Sequence, residues 1–176
     1  MSMVIDGSNG LTYPNSATNG GYINSGTAVT ASGTSISFTG IPSWVKRITV
    51  MYSSLLKATG TSSLAVRIGP SGGVVSSGYL GSSMYNNGGG AASTQTTAFC
   101  LNNGNSSGDV VHGITVIANL TGNTWVCSSM LAQSNTAYFL FGGGSVTLSG
   151  ALTQLQLTNL TGTDTFSSGT VNILYE

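Results

Sequence analysis

The sequence predicts an all-β protein: an antiparallel, jelly-roll-like β-sandwich of about ten strands, preceded by an extended N-terminal arm. Three observations predict it. Short apolar stretches alternate with polar residues at period two, and turn-forming clusters separate them at the spacing of a sandwich or barrel. Gly, Ser, Thr and Asn make up about half of the 176 residues, whereas there are only four cations and four carboxylates. A soluble helical protein needs charged helix formers on its outer faces, and this chain lacks them. Finally, the chain is 40% hydrophobic with zero formal net charge, which sets it apart from disordered chains of low hydrophobicity and high charge.

The same composition excludes function classes. Four cations supply too small a counterion-release term for a nucleic-acid binder. Membrane insertion is not expected, because no apolar run approaches the roughly 18 residues a spanning helix needs. The start, Met1 to Asp6, lacks a basic region followed by an apolar one, so no secretory signal peptide is expected. Two cysteines are too few for a disulfide scaffold. The sequons at Asn105, Asn119 and Asn159 are what chance gives in a chain this rich in Asn, Ser and Thr.

Residues 1–32 read as an arm and 33–176 as the sandwich. In the arm, Gly7–Gly10, Tyr13–Ser16 and Thr18–Gly21 place turn formers every few positions. The apolar residues between them, Ile5, Leu11, Tyr13 and Tyr22 among them, bury little area alone and are the candidate attachment contacts. Alternation then begins. Ser35–Thr39 is a strand broken by Gly40-Ile41-Pro42, and Val45–Tyr52 follows with Ile48, Val50 and Tyr52 on one face. A short helical turn is allowed around 54–58. Leu64–Ile68 has Leu64, Val66 and Ile68 in phase and stops at Gly69-Pro70. Thr96–Leu101 and Val110–Ala118 flank the turn Asn102–Asn105. Thr124–Leu131, Ala137–Phe141, Ser145–Leu148, Gln154–Thr158 and Thr170–Tyr175 complete the set. Asn119–Trp125 and Asn159–Phe166 echo each other, and both read as hairpin turns built on Thr-Gly.

Candidate chemistry is sparse. Asp109, His112 and one of many serines spell a triad on paper, but residues three apart on a strand face opposite ways and no Gly-x-Ser-x-Gly elbow is present. No catalytic residue is therefore assigned. A single His and two separated cysteines give no zinc set, and no metal or cofactor is expected. Cys100 and Cys127 read as core packing, with a disulfide open if their strands pair. Gly88–Gly90 and Gly142–Gly144 lack the Lys of a phosphate loop and read as loop tips or close backbone approaches. The cations Lys46, Arg47, Lys57 and Arg67 cluster in sequence, which fits either a patch for an acidic partner or charges guarding a sheet edge. Tyr79–Asn87 has the composition of a recognition loop, so Tyr79, Tyr85, Asn86 and Asn87 are candidate contacts to a receptor or glycan.

Three stretches carry a resemblance. Ile5–Pro14 resembles a short phrase, "I-x-G-x-x-G-L-x-F/Y-P", that recurs in tail-fibre and fibre-like proteins of tailed bacteriophages. Phe38–Val50 is similar to the start of a β-domain frequent in those proteins, and Gly162–Glu176 to its last strand. The resemblance implies a non-enzymatic β-sandwich on a virion surface, assembled in the host cytoplasm, commonly a homotrimer. It does not imply a defined receptor; the arm is read as the attachment to other virion proteins, and the tyrosine-containing loop as the candidate contact to a host-surface glycan or receptor. Only a short arm stands where a fibre has a long shaft, so a tail-tip subunit and a head decoration or cement protein both fit. A carbohydrate-binding module also fits the sandwich and its tyrosines. An ice-binding solenoid needs a regular Thr repeat that is missing, and a polysaccharide hydrolase needs a carboxylate pair that Asp6, Asp109, Asp164 and Glu176 do not make in sequence.

Overall fold

The structure, a computed structural model, describes residues 4–6, 10–12, 23–86, 91–104 and 106–176. All regular structure among them is strand. β1 (Val4–Asp6) and β2 (Gly10–Thr12) pair with each other alone, Ile5 opposite Leu11. Then come β3 (Asn24–Ser25), β4 (Val29–Thr30), β5 (Ile36–Thr39), β6 (Arg47–Lys57), β7 (Leu64–Gly69), β8 (Leu80–Asn86), β9 (Ala91–Gln95) and β10 (Phe99–Cys100). The chain ends with β11 (Val110–Thr121), β12 (Thr124–Gln133), β13 (Phe139–Thr147), β14 (Gln154–Asn159) and β15 (Phe166–Tyr175).

These strands form an antiparallel β-sandwich, as the alternation predicts. The large sheet runs β3-β15-β6-β11-β12-β13-β8-β9, with β4 also on β15, and the small sheet runs β10-β7-β14-β5. The core lies between them and is built by the period-two pattern. Ile48, Val50 and Tyr52 of β6 point inward against Leu64, Val66 and Ile68 of β7 and Leu155 and Leu157 of β14.

Several expectations change. β8 and β9 replace the expected recognition loop; Ser, Gly and Asn hide a strand whose ladder partner, β13, is itself glycine-rich. Ala137–Phe141 and Ser145–Leu148 are one strand, because Gly142–Gly144 run straight through β13 instead of turning. A Cβ on Gly142 would collide with the Cys100 carbonyl, so Gly142 marks a close backbone approach between the two sheets, whereas Gly144 crowds the Leu80 carbonyl of its own sheet. The run Gly88–Gly90 lies outside the described residues. No helical turn forms at 54–58, where β6 continues to Lys57. Asn119–Trp125 is the β11–β12 hairpin, whereas Asn159–Phe166 carries the chain from the small sheet to the large one. Within residues 23–32, β3 and β4 pair with β15 and Ala31 is fully buried.

Candidate functional site

The titratable residues would carry any chemistry. His112 stands on β11 opposite a bulge in β6, where Ser53 and Ser54 together face it and the register slips between Val111 and Gly113. The slip leaves the Ser54 N–H without a ladder carbonyl, and Ser54 takes a positive φ of 52°. His112 Nδ1 accepts that N–H at 3.2 Å, while Nε2 lies 3.1 Å from Ser134 Oγ. The pairing resembles a serine–histidine dyad but has the opposite polarity. An Nδ1 that accepts leaves the proton of the neutral ring on Nε2, which then donates to Ser134 and cannot take its proton.

Asp109 does not meet His112. Its Oδ2 accepts the Ser106 N–H at 2.7 Å and Gln133 Nε2 at 3.0 Å, closing the loop before β11. Asp164 is buried with Lys57: Nζ donates to Asp164 Oδ2 at 3.2 Å and to the Ser62 carbonyl at 2.6 Å. The same Oδ2 accepts the Ser62 N–H at 2.9 Å. Burial pulls the Lys57 pKa below its ordinary value, and the bond to Asp164 opposes that shift. Glu176 pairs with Arg47 at 3.3 Å on the surface. Among the described residues no three His, Cys, Asp or Glu side chains gather as metal ligands.

The four cations do not form a patch. Lys57 is buried on Asp164, Arg47 pairs with Glu176, Lys46 donates to Asn119 Oδ1, and Arg67 Nε donates to the Thr97 carbonyl. Nor do they guard an edge, because β6 and β7 are interior strands. Cys100 and Cys127 are free, buried thiols on strands of different sheets, each pushed up to about 12 by burial. Asn159 is fully buried, and its side chain caps the turn to β15 by accepting the Gly162 N–H and donating to the Asp164 carbonyl.

The candidate contact residues separate. Tyr79 is buried: its hydroxyl accepts the Ile68 N–H at 2.9 Å, and its ring meets Phe99 edge-on at 4.9 Å. It is a core residue tying β7 to β10, and the contact role read for it is corrected. Tyr85 is half-buried and stacks on Tyr138 at 5.7 Å, Asn86 is exposed, and Asn87 lies outside the described residues. Of the arm contacts, Ile5 and Leu11 lie in the β1–β2 pair, and Tyr13 and Tyr22 lie outside the described residues.

The most unusual surface is one that sequence reading missed. On the outer face of the large sheet, register aligns Met84, Phe141, Met130, Ile114 and Met51 in one row across β8, β13, β12, β11 and β6. Met130 is 62% exposed, Ile114 48% and nearby Phe139 55%. Beside the row, Ser128, Gly143 and Ser82 form a second, small-residue row and a shallow depression. Each apolar residue was visible in the sequence, but their alignment depends on long-range register.

Neither a protein-family model nor a curated protein matches the chain. A solved structure, "Crystal structure of Scytalido-glutamic peptidase with a peptide based transition state analog", is similar over 85% of this chain and 66% of that one, at 8% identity and a TM-score of 0.24. At that level no property passes from one to the other. No helix among the described residues is long and apolar enough to cross a membrane.

Proposed function

We propose that the chain is a non-enzymatic surface subunit of a tailed-bacteriophage virion, of tail-fibre or tail-tip type, that attaches through its N-terminal segment and displays the sandwich. One observation carries the non-enzymatic part. His112, Asp109 and Asp164 all hold backbone N–H groups, and the tautomer imposed on His112 opposes base catalysis. The virion part rests on the fibre-like phrases at Ile5–Pro14, Phe38–Val50 and Gly162–Glu176. Among the described residues β1 pairs with β2 and joins neither sheet of the sandwich, which supports an N-terminal segment free to engage another protein.

Deleting residues 1–22 tests this reading. The truncated protein keeps its β-rich circular dichroism and cooperative unfolding but is absent from purified particles that contain the full-length protein. Truncated protein that still incorporates at full occupancy overturns the attachment role.

A further inference from the structure

We propose that the outer face of the large sheet is a self-association surface, on which a second copy of this chain packs its own outer face about a two-fold axis. The inference does not rest on the proposed virion role, and its two-fold pairing departs from the homotrimer that the fibre resemblance implies. Along the row Met84–Phe141–Met130–Ile114–Met51 no position carries a charge, and the charged pair Arg47–Glu176 stands at a corner of the face. Such a face offers nothing to an ionic partner. Against itself it brings no like charges together and leaves no charge unpaired, and interface cores are depleted of charge and enriched in Met and Phe.

Size agrees. Five strands at about 4.8 Å spacing and six residues at about 3.4 Å each give about 500 Å² per copy. A pair therefore buries about 1,000 Å², the lower bound of a specific interface. Position agrees as well. β12 is central among the strands of the row, so a two-fold axis near Met130 stacks the two rows and brings the two Met130 side chains close.

The test is sedimentation velocity on the full chain over a concentration series. Wild type is expected to dimerise, and Met130→Glu to raise the dissociation constant at least about tenfold. Because Met130 is 62% exposed, the variant keeps its unfolding midpoint. Mixing Met130→Glu with Met130→Lys restores dimers, which a merely destabilised fold would not do. Leu120→Ser, at an exposed site on the β11–β12 hairpin, leaves association unchanged. A wild type that stays monomeric at the highest concentration overturns the proposal. So does an oligomer indifferent to Met130→Glu, or a mixture that fails to restore dimers.

Discussion

At the scale of single residues, His112, Asp109, Asp164 and Lys57 all bind backbone groups. Lys57 and Asp164 are 107 positions apart and meet in a buried pair that also holds the Ser62 N–H and carbonyl. Replacing Asp164 by Ala leaves the ammonium without its counter-charge and costs about 3–5 kcal/mol, read as a fall in the urea midpoint. Part of that loss returns with rising pH. With its partner gone, Lys57 has a pKa further below the ordinary 10.5, and shedding its proton removes the unpaired charge. None of this was legible in the sequence, where Lys57 looked like one of a basic cluster and Asp164 like a turn residue. Tyr79 misled for the same reason: Ser and Gly neighbours suggest a surface loop, but its burial comes from a partner, Phe99, twenty residues away.

At the scale of elements, the period-two signal was legible wherever apolar residues alternate, as in β6, β7 and β15. It failed where glycine and serine replace them, in β8, β9 and the middle of β13. Those strands are specified by neighbours: β10 crosses β13 so closely that the small sheet needs Gly142 bare. Gly142→Val is accordingly expected to lower the unfolding midpoint sharply, by at least about 2 kcal/mol, because a backbone carbonyl and not a flexible side chain must yield. Thermal or urea unfolding of the purified variant measures this. The bulge at Ser54 is a second example, since β-branched residues predict β6 but nothing local predicts where its ladder slips. Gly169 faces Ser54 with φ 101°, a conformation and a closeness that only glycine accepts.

At the scale of the whole molecule, two sheets of unequal size enclose a core containing Tyr52, Tyr79 and Cys127, with Cys100 in a small satellite cluster. Burial raises all four pKa values, Tyr79 and both thiols to about 12 and Tyr52 further still. Unfolded, the thiols ionise near 9.0 and the tyrosines near 10.0. Above those values the unfolded chain holds fewer protons than the folded one, so stability is complete below about pH 9 and falls as pH rises toward 12. Each group contributes a slope of about 1.4 kcal/mol per pH unit, while Lys57, shifted the other way, opposes that fall below its ordinary value. Urea midpoints from pH 7 to 11 check the sign. The proposed virion role belongs to this scale too. Its most direct measurement is cryo-electron imaging of intact particles carrying a label at the C-terminus of this protein. Label density is expected at the tail or its tip, with the sandwich outward. Particles that lack the label altogether, from cells in which the protein is made and folded, would contradict it.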